Sequence, residues 1–393
     1  MNKILIFSIA YHPIIGGAEI AIKETTDRIS PQEIEFDMIT LRFDNKSPRF
    51  EKIGNVNVHR IGFTKDNPTS SDLLRFPMYL NKIFFPLTAS LKAVALHKKR
   101  KYNASWAMMS YMGFPALLFL WFRCVPFILT LQEGDSITHV TRRLRIRLVY
   151  PFYKMIFKKA RTVQVISKYL EKFARDVGYK GDISVIPNGV DTSLFARDYS
   201  EQELGALRWR FHKEEKDIFL ITTSRLVQKN GVADVVRALP LLPENIKFLI
   251  IGTGPLEEDL KKLSRDLGVE SRVFFNDFWV EYKEIPKYLK ISDIFIRVSR
   301  SEGMGNSFIE AMSAGIPVIA TPVGGIVDFL KENETGVFCQ VDNPESVALS
   351  VNRILDDTEL RKKIVANASR LVAEKYNWEG VVDDMKSAVF AKI

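Results

Sequence analysis

Residues 293–320, DIFIRVSRSEGMGNSFIEAMSAGIPVIA, constrain the fold more than any other stretch of the chain. An apolar run at 294–298 leads to a glycine turn at Gly303 and Gly305, then to helical spacing over 306–314, then to a second apolar run at 318–320. Strand, glycine loop, helix and strand in that order predict a parallel crossover unit. In an open parallel sheet such a loop lies at the carboxyl end of a strand, where ligands bind, and its helix turns unpaired N–H groups toward an anion. Glu302 enters the loop and Glu310 follows in the helix. Carboxylates repel an anion, so their natural partners are hydroxyls, from which they accept hydrogen bonds. A phosphate flanked by sugar hydroxyls fits this pattern; a bare phosphate does not.

The same alternation fills the chain. Apolar strand runs are expected at 3–10, 35–41, 56–61, 104–109, 126–131, 162–166 and 183–187. A second series follows at 218–223, 247–251, 273–275, 294–298, 318–320 and 336–340, with helical segments between. At 393 residues the chain exceeds a single core, and the pattern predicts an α/β protein of two doubly wound parallel sheets. We place one domain at 1–195 and the other at 196–375, with a polar linker at about 190–216. Pro77 and Pro86 are expected to break the helical stretch 73–97 into pieces.

Three further glycine loops follow strands. Gly16 and Gly17 open a helix after the first strand, without GxGxxG spacing. Arg225 and Lys229 sit at the mouth of the strand 218–223, just before Asn230 and Gly231, and supply the positive charge and donors that a diphosphate requires. Thr130 to Asp135, TLQEGD, places the amide of Gln132 at the end of another strand, with Asp135 as a helix N-cap or site residue. No metal site of paired carboxylates is evident.

Charge is uneven: the excess of Lys and Arg lies in the first half, in HKKRK at 97–101 and in RRLRIRLVYPFYKMIFKKAR at 142–161. Interleaved with aromatic and aliphatic residues, Arg142, Arg143, Arg145 and Arg147 suit an anionic membrane surface or a phosphate-bearing partner, or else a solvated helix face. No nucleic-acid reader motif accompanies the basic balance. The two cysteines lack metal-ligand spacing and suit a reducing compartment, so we expect a cytoplasmic protein, at the inner face of the membrane if it binds there. Arg123 and Pro126 interrupt the apolar stretch 111–131, so helix, turn and strand explain it better than a membrane span.

The words SEGMGNSFIEAMSAGIPVIATPVGG, GGAE at 16–19 and PNGVD at 187–191 together resemble the retaining nucleotide-sugar glycosyltransferases of the two-domain GT-B type, family four. The resemblance implies two Rossmann-like domains facing across a cleft, the first binding acceptor and the second binding a nucleoside-diphosphate sugar donor, with residues 376–393 forming a terminal helix that packs back on the first domain. It implies that Gly16 and Gly17 let the backbone approach the donor, and that Arg225 and Lys229, with Asn230 beside them, meet the diphosphate. Glu310 would take the ribose hydroxyls, and Glu302 with Gly303, Met304, Gly305 and Asn306 would hold the sugar. The loop 276–280, including Phe278, would face the base. Gln132 stands where many relatives carry a histidine near the donor sugar. The implied chemistry is metal-independent hexosyl transfer to a glycan or lipid-linked acceptor of cell-envelope polysaccharide or glycolipid. A two-domain nucleotide-sugar epimerase, or a noncatalytic sugar-nucleotide-binding subunit of an envelope assembly complex, are the alternatives.

Overall fold

The structure, a computed structural model, describes residues 2–13, 16–66, 76–134, 149–276 and 280–393. The chain divides into two compact units, Met1–Asn188 with Trp378–Ile393, and Gly189–Asn377. The division falls at 188/189 and 377/378, where the sequence reading placed it at 195/196 and 375/376.

The first unit is built on strands β1 (Asn2–Phe7), β2 (Ile34–Leu41), β3 (Phe50–Ile53), β4 (Val56–Ile61), β5 (Ala104–Met108), β6 (Phe127–Leu131), β7 (Thr162–Val165) and β8 (Ile183–Val185). Among the described residues they form one sheet in the order β3-β4-β2-β1-β5-β6-β7-β8. All neighbours are parallel except β3, which turns back on β4 through Gly54 and Asn55. β1 is central, with Ile4 opposite both Phe36 and Ala104. Its residues Ile4 to Phe7 are fully buried, as a strand covered by helices on both faces must be. β3 escaped the sequence reading because it is an edge strand whose Phe50 and alternate residues face solvent, leaving no apolar run to detect.

The second unit contains β9 (Ile218–Thr223), β10 (Ile246–Ile251), β11 (Val273–Phe275), β12 (Ile294–Arg297), β13 (Val318–Ala320) and β14 (Val337–Phe338), in the order β11-β10-β9-β12-β13-β14. Every pair is parallel. From β9 the chain steps outward to β10 and β11, then returns to the other side of β9 for β12 and steps outward through β13 to β14. The β9/β12 boundary is therefore the topological switch point, where an open parallel sheet binds ligands. In the first unit the reversal lies between β1 and β5.

Three expectations are corrected. Pro86 does not break its helix, which runs unbroken over Met78–Arg100. A proline removes one N–H from the helical ladder, and the carbonyl four residues back, that of Lys82, accepts from the Tyr111 hydroxyl at 2.6 Å. The polar stretch 199–216 is not a bare linker but contains the helix Glu201–Arg210, started by a capping box between Ser200 and Glu203. Its buried anchor is Leu204, with Leu207 half-buried one turn on and Phe211 buried just past the helix, an apolar spacing set among charged residues. The third correction concerns the end of the chain. The terminal helix is Trp378–Ala388, two residues later than expected, and it buries Trp378, Val381, Val382 and Met385 in the core of the first unit with Ile4, Phe36 and Trp106. The stretch 111–131 is a helix, Gly113–Arg123, followed by β6. Among the described residues no helix is long and apolar enough to cross a membrane.

Candidate active site

Three loops of the second unit meet beyond the carboxyl ends of β9, β12 and β13: residues 224–231, 298–305 and 321–325. Two glycines let their backbones touch. Gly231, at φ +67°, would place a Cβ 2.0 Å from the Val298 carbonyl oxygen, and Gly324, at φ +57°, would place one 1.8 Å from the carbonyl oxygen of Glu302. No side chain fits at either point. The Arg300 N–H donates to the Lys229 carbonyl at 2.7 Å, and the Gly325 N–H to the Glu302 carbonyl at 3.1 Å, so the loops are tied to one another.

Within this frame Arg225 is exposed at the loop mouth and Lys229 is half-buried. Asn230 is buried and clips the loop, donating from Nδ2 to the Arg225 carbonyl at 2.7 Å. Glu302, Met304 and Glu310 are buried, and Gly305 is the N-cap of the helix Asn306–Ser313, with no side chain satisfying the helix start. The start of a helix carries the positive end of its dipole, where an anion is stabilised. The structure therefore brings Arg225, Lys229, Asn230, Glu302, Gly303, Met304, Gly305, Asn306 and Glu310 onto one edge of one sheet.

Arg297, the last residue of β12, was not singled out from the sequence, and it connects these parts. Its guanidinium ion-pairs with the Glu302 carboxylate, donates to Asn230 Oδ1 at 3.0 Å and to Ser307 Oγ at 3.0 Å, and lies over the Phe308 ring at 5.5 Å. Both charged side chains are nearly enclosed, 11% and 9% exposed. A buried charge needs such company, because desolvation would otherwise cost several kcal/mol. The signal was available: a cation in an apolar strand run, next to the glycine loop. Its partners, scattered over three elements, were not.

Glu310 stands apart from this pair. Its Oε1 accepts from the Tyr282 hydroxyl at 3.1 Å, and burial pushes its carboxyl up to about 7, against the opposing pull of that hydrogen bond and the Arg297 charge. Near neutral pH it exchanges between a neutral form, able to donate, and an ionised form, able only to accept. The two carboxylates are thus unlike: one is ion-paired with a guanidinium, the other raised by burial.

In the first unit the loops after β1, β6 and β8 carry the remaining candidates. Gly16 caps the helix Gly17–Asp27. A Cβ on it would meet Glu19 Oε2 at 2.7 Å, and the Glu19 carboxylate accepts from the N–H groups of residues 19 and 16, which oppose the upward shift that burial gives it. Gly17 is exposed. Gln132 and Asn188 form a reciprocal amide pair, Nε2 to Oδ1 at 3.0 Å and Nδ2 to Oε1 at 3.1 Å, which fastens the end of β6 to the PNGVD word. Glu133, overlooked in the sequence, is buried beside it; its Oε1 accepts from the Ser110 N–H at 2.6 Å while Oε2 has no partner, and burial raises its pKa. Arg142, Arg143, Arg145 and Arg147, together with Asp135, lie outside the described residues, as does Phe278. Among the described residues no group of three or more His, Cys, Asp or Glu is gathered as metal ligands.

Comparison with known proteins completes the assignment. Residues 15–194 match the family described as "Glycosyltransferase Family 4", and residues 205–371 match "Glycosyl transferases group 1". An uncharacterized glycosyltransferase of Methanocaldococcus jannaschii is 27% identical over 97% of this chain and 96% of its own length. The GDP-mannose-dependent alpha-(1-6)-phosphatidylinositol monomannoside mannosyltransferase of Mycobacterium tuberculosis is 31% identical over 55% of this chain and 58% of its own. In fold, the Anabaena protein HepE, solved in complex with UDP-glucose, superposes with a TM-score of 0.78 over 99% of each chain at 18% identity. With two Rossmann-like units and both family matches, the chain belongs to the GT-B glycosyltransferases of family four.

Proposed function

We propose that the protein transfers a hexose from a nucleoside-diphosphate sugar to a glycan or lipid-linked acceptor, with retention of anomeric configuration and without a metal ion. The observation that carries the reading is the pairing, at the β9/β12 switch point, of a two-cation loop with two buried carboxylates and an uncapped helix start. Arg225 and Lys229 take the diphosphate, Glu310 the ribose hydroxyls, and Glu302 with the backbone of residues 303–306 the sugar. That M. tuberculosis relative uses GDP-mannose and HepE was solved with UDP-glucose, which supports a nucleotide-sugar donor and leaves its base open.

In the reaction the bond from the anomeric carbon to the departing diphosphate breaks as the bond to the acceptor oxygen forms on the same face. The acceptor proton passes to the leaving phosphate oxygen. Cations at the leaving group stabilise the charge developing there, a contribution of order several kcal/mol. A double displacement would need a free carboxylate nucleophile on the opposite face. Glu302 is tied to Arg297, which supports the same-face route. The amide of Gln132 carries no titrating proton and has a positioning part in this scheme.

The deciding experiment is a thermal-shift screen of UDP, GDP, ADP and TDP with their common sugars, on the protein and on Glu310→Ala. We expect one nucleotide to raise the unfolding temperature and the substitution to weaken that shift. The absence of any shift would reject the donor site. Turnover unchanged by EDTA is expected for two cations acting in place of a metal, and strict dependence on a divalent ion would refute it.

A further inference from the structure

The first unit has a surface that the donor reading leaves unexplained. The helix Met78–Arg100 buries Phe85, Ala89 and Ala93, yet its opposite side carries Phe84, Leu87 and Leu91, 54%, 49% and 55% exposed. Those three recur at helical spacing, so they form a stripe rather than scattered apolar residues. A helix apolar on both sides is ordinarily covered on both sides. The next helix in the layer, Gly113–Arg123, exposes Trp121 and Phe122, and the helix Tyr150–Lys159 exposes Phe152, whose ring centroid lies 6.3 Å from that of Trp121.

Topology puts these side chains on one face. The connections β4 to β5, β5 to β6 and β6 to β7 all step in the same direction along the sheet, and right-handed crossovers then place their helices in one layer. Contacts agree: the His97 and Phe119 rings are 5.5 Å apart, and the Tyr111 hydroxyl reaches the Lys82 carbonyl.

Charge identifies what covers the face. The three helices carry five, one and three Lys or Arg and no Asp or Glu at all. Lys98, Lys99, Arg123, Lys158 and Lys159 are exposed at helix ends, beside the apolar residues. A second copy of the chain would bring like charges together. An anionic lipid surface accepts both features, since aromatic and aliphatic side chains enter the interfacial zone while cations meet headgroups. We propose that this three-helix face seats the protein in the plane of an anionic bilayer. The apolar anchors are Phe84, Leu87, Leu91, Trp121, Phe122 and Phe152. Among the described residues no helix is long and apolar enough to span the bilayer, so the three helices lie on its surface.

The test is flotation of the whole protein with phosphatidylcholine vesicles and with vesicles doped with phosphatidylglycerol, at low and high salt, without nucleotide. Leu87→Glu/Leu91→Glu and Lys98→Glu/Lys99→Glu alter exposed residues only, and an unchanged unfolding temperature and nucleotide response certify each variant. The expected result is binding to the doped vesicles alone, weakened by salt, and a loss of roughly tenfold or more in each variant. No binding to doped vesicles at low salt overturns the proposal. So does binding that the leucine substitutions leave unchanged, which is plain electrostatic adsorption. Self-association abolished by the leucine substitutions, without vesicle binding, would show a second copy on the face. Because the assay contains no nucleotide, its failure would leave the transferase reading standing, and an inactive transferase could still bind.

Discussion

Arg297 and Glu302 make a buried ion pair whose worth lies less in stability than in placement. Replacing such a pair with apolar residues is often neutral, whereas removing one partner strands the other charge. Arg297→Leu is therefore expected to destabilise the second unit by about 3–5 kcal/mol, and Arg297→Leu/Glu302→Gln to recover at least half of that in denaturant unfolding. Full additivity of the two single changes would contradict the pairing. Glu310 gives a prediction of opposite kind. Its carboxyl is raised to about 7 from an ordinary 4.5, so the folded protein keeps a proton that the unfolded chain releases. The stability this carries is complete below the unfolded value and is lost as pH rises through the folded one. Glu310→Gln should gain on the parent by roughly 3 kcal/mol from acid to mildly alkaline pH. Parallel pH profiles for the two proteins would remove Glu310 as the titrating group.

The loops act as a unit because their backbones are in contact, and here the element matters more than any one side chain. Gly324 touches the carbonyl of Glu302 in a left-handed conformation, so Gly324→Ala must push the β12 loop away from the β13 loop. A displacement of about 1 Å at reacting groups can cost two orders of magnitude in rate. We expect turnover to fall by roughly a hundredfold, with a smaller fractional effect on the folded state. Activity within twofold of the parent would mean that the loop yields without consequence. The glycine pattern made this loop legible in the sequence, because strand, turn and helix occur in order within one stretch. The boundaries of β4, β9 and β11 were legible too: β9 and β11 are apolar runs and β4 alternates apolar with polar residues, each closed by turn residues. What could not be read is what depends on distant pairing. Arg297 meets Asn230 across 67 positions, and Gln132 meets Asn188 across 56. Likewise the unbroken helix through Pro86 depends on a hydroxyl from Tyr111, outside the helix.

Across the whole molecule, the chain ends where it began: residues 378–393 complete the core that β1 opens. The two crossings between units are held side by side, with the Val190 N–H donating to the Tyr376 carbonyl at 2.7 Å and Val190 bridging to Asn377. Alternating strands and helices announced two sheets, but which sheet the last helix joins is decided by its buried face, Trp378, Val381, Val382 and Met385. Trp378 is 1% exposed among Ile4, Phe36 and Trp106. Trp378→Ala should cost the first unit about 3–5 kcal/mol, a large share of a domain's net stability of roughly 5–15 kcal/mol. The proposed donor site lies in the other unit. The nucleotide-induced rise in unfolding temperature should therefore survive in this variant while calorimetry shows the first unit melting earlier. If the substitution instead abolished the nucleotide response and lowered a single common transition, the two units would fold as one, and the last helix would serve both.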